Sequence, residues 1–460
     1  MTWGSFFSSS LSLVIVLPLL LTRLSTEEIT LWYLYMTIIS FQMLVDVGFS
    51  PTFSRVIAYA MGGTGVDDLK SPKNQNNGQA NWKTLELICS EMRVIYSRLG
   101  ILWTMLLAVF GTLSLLKPIS LLPNTFSAWI AWGVILVVST ITLRGNIYSS
   151  YLQGINQIAL LRRWEAITSI GAIVTSFLVL ILGGGLLGLV LAHQGWQLLN
   201  ILRNRWLSGV VENGRFKEFA RGKKNKKVFD AVWPSAWRSG MGHLMSYGLI
   251  QASGIMYAQV GSSAGVASYL LALRLIGTVS SFSRAPFYSK LPTLARLFSE
   301  SRKKELIRVA KRGMALSHWT YIAGFISLGL IGEPLLKFIG SNADFPSQML
   351  WILLGLGFFV ERYGAMHIQL YSTTNHIIWH IANGVTGMIY LIVSIVFFQF
   401  IGVYAFPVGI LAGYLGFYAW YSAIHSYKAF DLKFISFEKS TSFEPLAAIL
   451  IYTISSSFVK

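Results

Sequence analysis

The chain has 460 residues, of which 54% are hydrophobic and only 12% charged, with a formal net charge of +18. An average soluble protein is about 25% charged, and one soluble core cannot hide this much apolar surface, which excludes a soluble globular enzyme. A single cysteine, Cys89, excludes a disulfide framework or a cysteine metal cluster, and no Walker A sequence is present.

A run of about 20 apolar residues crosses the hydrocarbon layer of a bilayer. In chain order the runs are 3–21, 29–60, 99–116, 126–151, 166–182, 186–202, 233–260, 264–286, 315–331, 347–371, 377–400 and 404–427. They predict an all-α integral membrane protein of about twelve transmembrane helices. The first run lacks a basic flank and a small-residue cleavage site, so it is expected to be retained as a span. The stretch 62–82 is polar, rich in Gly and Asn, and expected to be a mobile loop. The last apolar stretch, 446–459, is short for a span and is expected to form an interfacial helix.

Lys and Arg favour cytoplasmic loops. With the N-terminus cytoplasmic, roughly thirty of the 37 basic residues fall inside, and both termini are cytoplasmic. Arg23, Lys117 and Lys337 then lie outside, while Arg144, Arg238, Arg274 and Arg362 lie within spans. The charge is therefore a topology signal facing anionic membrane lipid rather than a nucleic-acid footprint. The segment 203–227 is especially basic and includes Lys223-Lys224-Asn225-Lys226-Lys227. In 290–312 the residues Leu294, Leu297, Leu306 and Val309 recur at helical spacing, which predicts a helix on the inner leaflet.

The basic segment divides the chain into two pseudo-symmetric six-helix bundles, 1–202 and 233–427, joined by a linker 203–232 and followed by a tail 428–460. Pro51-Thr52-Phe53-Ser54-Arg55 and Pro286-Phe287-Tyr288-Ser289-Lys290 stand at matching places in the halves, each where a long helix is expected to leave the membrane. A weaker echo pairs Tyr151–Ile158 with Leu370–Ile377. Parallel repeats of this kind recur in transporters.

Tyr151-Leu152-Gln153-Gly154-Ile155-Asn156, followed by Arg162-Arg163, resembles the Leu-Gln-Gly segment common in polysaccharide flippases. Leu44-Val45-Asp46-Val47-Gly48-Phe49, followed by Arg55, is similar to another segment of that family. These are the O-antigen and capsule flippases of the multidrug/oligosaccharidyl-lipid/polysaccharide exporter superfamily. The resemblance implies a V-shaped pair of bundles in the bacterial cytoplasmic (inner) membrane. It implies that a polyprenyl-diphosphate-linked oligosaccharide, such as an O-antigen or capsule unit of lipopolysaccharide or polysaccharide biosynthesis, is moved outward by alternating access. Coupling to sodium or protons, with no bound cofactor, and work beside a polysaccharide polymerase and chain-length machinery are expected with it. The lipid II flippase, a relative, is a fourteen-span protein by that resemblance, whereas the tail 430–460 here supplies at most one extra span, so a peptidoglycan precursor is not the expected substrate.

Each charge inside a span costs several kcal/mol unless it meets water or a partner. Arg274, flanked by apolar residues, is the first candidate to hold the diphosphate, since a guanidinium binds phosphate bidentately. Its plainer alternative is an ion pair to Glu361 or Asp46. Arg144 is the second candidate, or else it snorkels to the interface. Arg238, Arg55 and Lys290 would gather the anion at the inner mouth, though the positive-inside pattern alone explains them. Arg23 would guide the departing head group or pair with Glu27. Asp46 and Glu361 are the candidates for ion coupling.

Two other classes compete. A drug or metabolite exporter of the same fold that handled cations would line its cavity with acids, and here basic residues outnumber acids within the spans. A polysaccharide polymerase or membrane glycosyltransferase would need a large external loop, whereas 22–28 and 332–346 are short.

Overall fold

Hydrocarbon offers the backbone no water, so a spanning segment must satisfy its own N–H and C=O groups, and the helix does so. The computed structural model describes residues 15–46, 48–70, 79–219, 224–374, 376 and 378–458, and every regular element among them is helical. Among the described residues, eight helices are long and apolar enough to cross a membrane. The chain divides into two compact units, 1–241 and 242–460, so the basic linker belongs to the first and the tail to the second.

In the first unit, most of the expected span 3–21 lies outside the described residues, and helix α1 is Leu17–Arg23. Helix α2, Thr26–Val45, opens with a capping box in which Ser25 Oγ accepts the Glu28 N–H at 3.2 Å and Glu28 Oε2 accepts the Ser25 N–H at 3.0 Å. The run 29–60 was expected to be one span, but α2 ends at Val45 and α3, Phe49–Met61, begins after Gly48 at φ +71°. Glycine takes this left-handed conformation without a Cβ clash. Asp46 Oδ2 accepts the Ser50 N–H at 3.1 Å, satisfying a donor that the break exposes.

Helix α4, Trp82–Ser120, is 39 residues long with a π-helical turn at Leu107–Gly111, and it starts well before the expected 99. Leu85, Ile88, Met92, Ile95 and Tyr96 are buried at helical spacing, so one packed face carries the helix through charged residues that interrupt the apolar run. The basic linker packs on this extension. Arg93 donates to the Phe216 and Phe219 carbonyls at 3.0 and 2.8 Å, and Arg215 lies over the Trp82 ring at 4.1 Å. Helices α5 (Thr125–Gly154), α6 (Ile158–Ile181) and α7 (Gly185–Ser208) follow close to expectation.

Helix α8, Lys226–His243, continues through a π-helical turn, Leu244–Gly248, into α9, Leu249–Val260. The second unit then holds α10 (Ser263–Tyr288), α11 (Leu291–Ser299), α12 (Lys303–Ile339) and α13 (Gln348–Ser372). The last long stretch, Trp379–Phe430, contains α14 (Trp379–Ile401), α15 (Ala405–Gly413) and α16 (Ala419–Phe430). Gly402 at φ +56° turns it back, so that Gly409 lies against Tyr390 and Gly413 against Thr386 in an antiparallel pair.

Two segments expected at the membrane surface pack on protein. The apolar residues of 290–312 are divided between α11 and the start of α12: Leu294 and Leu297 of the first and Leu306 of the second are buried in a cluster with Met314, Met366 and Phe430, and Val309 packs against it. The tail helix α17, Phe443–Phe458, packs along α12 and α13. The Thr441 carbonyl meets His318 Nδ1 at 2.9 Å and the Tyr452 ring meets Phe325 at 5.6 Å, so α17 runs in the same direction as α12. Protein offers these faces shape-matched dispersion contacts that fluid lipid does not.

The Pro-Ser-basic repeat takes two forms. Pro51 is in the first turn of α3, after a break, whereas Pro286 is in the last turn of α10, before one. In the echo, Gly154 and Ser372 each end a helix, and Asn375 lies outside the described residues.

At Gly154 a Cβ would come within 2.5 Å of Ile57 Cβ and 2.9 Å of the Ser54 carbonyl. Gly154→Ala is expected to destabilise the protein by about 1–3 kcal/mol. Gly133→Ala, whose Cβ meets nothing within 4 Å, is expected to stabilise it by about 0.5–1 kcal/mol. Thermal unfolding in detergent compares the two.

Candidate substrate-binding site

The polar content of α10 is sorted by helix geometry. From Arg274 onward, Ile276, Val279, Ser283 and Phe287 are buried on one side. Arg274, Thr278, Ser281, Arg284 and Tyr288 fall on the other at intervals of three and four, exposed or half-buried. Thr278 Oγ1 donates to the Arg274 carbonyl and Ser281 Oγ to that of Gly277, both at 2.8 Å, so the hydroxyls are satisfied within the helix. The Arg274 guanidinium has no ion-pair or hydrogen-bond partner among the described residues.

The ion pair considered for Arg274 is not formed. Glu361 on α13 lies instead between Arg284 at 3.8 Å and its neighbour Arg362 at 3.6 Å. Arg362 is completely buried and donates to the Ser280 carbonyl at 2.8 Å, while its Nε and Nη1 find no protein acceptor. Two guanidinium groups on one carboxylate leave this cluster with a net charge of +1. Glu361 is thus bound up in neutralising arginines, the alternative to ion coupling that its neighbour Arg362 already offered in the sequence. Arg284 was missed by the sequence reading. It stands two residues before Pro286, where hydropathy reads an interface. Its ten-residue spacing from Arg274, close to three turns, was the available signal.

In the first unit Arg144 is exposed and lies across Gly100 of α4, its Nε 2.6 Å from where a Cβ there would stand. Thr140 and Thr104 hydrogen-bond at 2.9 Å one turn away. Asp46 is buried at 8% exposure, and its Oδ1 accepts the Tyr96 hydroxyl at 2.7 Å. Ser50, whose N–H Asp46 accepts, shares a 2.8 Å hydroxyl contact with Ser150. This carboxylate therefore sits at a helix break inside a network joining three helices. Arg23, Arg55 and Arg238 of the first unit, and Lys290 of the second, are all exposed. Among the described residues no group of three or more His, Cys, Asp or Glu could hold a metal ion.

No protein-family model matches the chain, and no curated protein matches it in sequence. Solved structures do match in fold. An inward-facing multidrug resistance MATE family transporter of the MOP superfamily aligns with TM-score 0.69 at 13% identity, over 94% of this chain and 96% of that one. The chain has the fold of these membrane proteins. The lipid II flippase MurJ, in an inward closed conformation, aligns with TM-score 0.63 at 14% identity, over 100% of this chain and 99% of that one. A MOP superfamily transporter from Pyrococcus furiosus, described by a reversed polarity of its binding pocket, aligns with TM-score 0.60 at 12% identity, over 94% and 96%. The MurJ alignment takes in the tail, so the length of the tail does not separate this fold from the lipid II flippase as the sequence reading had it.

Removing the carboxylate of Glu361 leaves a buried guanidinium without its counter-charge. Glu361→Gln is expected to destabilise the protein by about 3 kcal/mol, more than Arg284→Gln at the exposed end of the cluster. Denaturation midpoints in detergent measure the difference.

Proposed function

We propose that this chain is a transporter that flips a polyprenyl-diphosphate-linked oligosaccharide across the bacterial cytoplasmic membrane by alternating access. The observation that carries the proposal is the α10 stripe, in which the Arg274 guanidinium has no partner among the described residues and Arg284 belongs to a cluster of net charge +1. A diphosphate in bare hydrocarbon meets a barrier of tens of kcal/mol. Guanidinium groups offer it bidentate, charge-assisted hydrogen bonds along a polar path. The fold shared with a lipid II flippase supports the class of substrate, because lipid II is itself a lipid carrying a glycan head group. Arg144, Arg55, Arg238, Arg23 and Lys290 are proposed to assist the anion along its path, and Asp46, at the broken helix, to couple a sodium ion or proton.

A second reading, a drug or metabolite exporter, is favoured by the higher TM-score to the multidrug transporter, 0.69 against 0.63. Transport into liposomes separates the two. Wild type is expected to flip a polyprenyl-diphosphate oligosaccharide, and Arg274→Ala to slow flipping by about tenfold to a hundredfold with folding intact, as the loss of charged hydrogen bonds predicts. Transport of a cationic dye without lipid flipping would establish the exporter instead.

A further inference from the structure

Away from the α10 stripe, the second unit buries a carboxylate and an imidazole together. Glu438 and His367 are each 1% exposed, and His367 Nε2 stands 3.2 Å from Glu438 Oε1. Glu438 belongs to the turn that leads into the tail helix α17, and His367 to α13. The carboxylate also accepts the Tyr427 hydroxyl of α16 and the Thr441 hydroxyl, both at 2.7 Å, as well as that of Ser442. Burial alone would raise its pKa, but the bond and charge of His367, with the Ser442 and Tyr427 bonds, outweigh burial and hold the carboxyl at about 2. Glu438 is therefore a fixed anion above about pH 4.3, and its contribution is lost only as pH falls from there toward 2.

The other side of the imidazole is adjustable. His367 Nδ1 lies 2.6 Å from Ser426 Oγ, and Ser426 Oγ lies 3.1 Å from the Ala423 carbonyl. When the ring is neutral, Nε2–H donates to Glu438 and the Ser426 proton goes to Nδ1. When the ring gains a proton at Nδ1, that N–H donates to Ser426 Oγ, whose own proton turns to the Ala423 carbonyl. Both protonation states satisfy every partner by one hydroxyl rotation, with no heavy atom displaced.

His318 shows the contrast. It too is buried, its Nδ1 faces the Thr441 carbonyl, and its Nε2 has no hydrogen-bond partner. The carbonyl requires a proton on Nδ1, and a second proton on Nε2 would have no acceptor.

We infer that His367 is a reversible proton-binding site whose charge sets how tightly the tail is held to the second unit. Gaining a proton turns a neutral donor to Glu438 into an ion pair, and charged hydrogen bonds are roughly twice as strong. The groups around the ring are Tyr363 and the nearby Arg362 from α13, Ser426 and Tyr427 from α16, Phe437 and Glu438 from the turn, and His318 from α12, stacked on Tyr363. Glu438 is the anion hydrogen-bonded to it. The inference stands on this geometry and does not depend on which substrate is moved.

The test is hydrogen exchange of α17 amides in the detergent-solubilised full chain, with protection corrected for intrinsic rate. Between about pH 5.5 and 8.5, protection is expected to fall about fivefold to tenfold in wild type and to stay level in His367→Gln. Nitrogen-15 NMR of wild-type His367 reads the site directly and needs no variant to fold. Two protonated ring nitrogens at the acid end and one at the alkaline end support the proposal. Level wild-type protection, a pH dependence that survives in His367→Gln, or ring signals unchanged across the range would overturn it.

Discussion

The constraint beneath this structure is that hydrocarbon cannot hydrogen-bond a peptide group. Every departure from the helix must therefore bring its own partners. At the break between α2 and α3, Gly48 supplies the left-handed conformation and Asp46 supplies an acceptor to the Ser50 N–H. Longer helices accommodate extra residues as π-helical turns at Leu107–Gly111, Leu244–Gly248 and Tyr414–Tyr418, where the ladder shifts without opening to lipid. Gly402 makes the sharp return between α14 and α15.

The same medium disciplines charge. Arg362 is buried completely because Glu361 and the Ser280 carbonyl receive it, and Glu438 because four donors do. Arg274 breaks the pattern, standing exposed on a helix whose other face is packed. A cation so placed belongs to a surface that meets water or an anion. The arginines thus divide by physical role, between those neutralised inside the protein and those left available.

Two features of the second unit are independent of each other in chemistry. The α10 stripe collects positive charge at a surface. The Glu438–His367 pair is closed to solvent and answers only to a proton. Both are attached to α13, which carries Glu361, Arg362 and, further along, His367, so one helix links the charge cluster to the seat of the tail.

The apolar runs determined that this chain is helical and membrane-embedded, since lipid leaves no other choice for such segments. They placed α5, α6, α13 and α14 to within several residues. The residue types also named Arg274, Asp46 and Glu361 as unusual, because charge among apolar neighbours is visible in one dimension. Partners were not visible. Glu361 meets Arg284 because two helices pack side by side, and Glu438 meets His367 across 71 residues. The amphipathic spacing of Leu294 and Leu297 was legible, but whether protein or lipid covered it was not, because both are apolar. Sequence decided which atoms must be hidden from water or satisfied within it; only the tertiary structure decided by which neighbours, because hydrogen bonds and ion pairs depend on distances that packing alone sets.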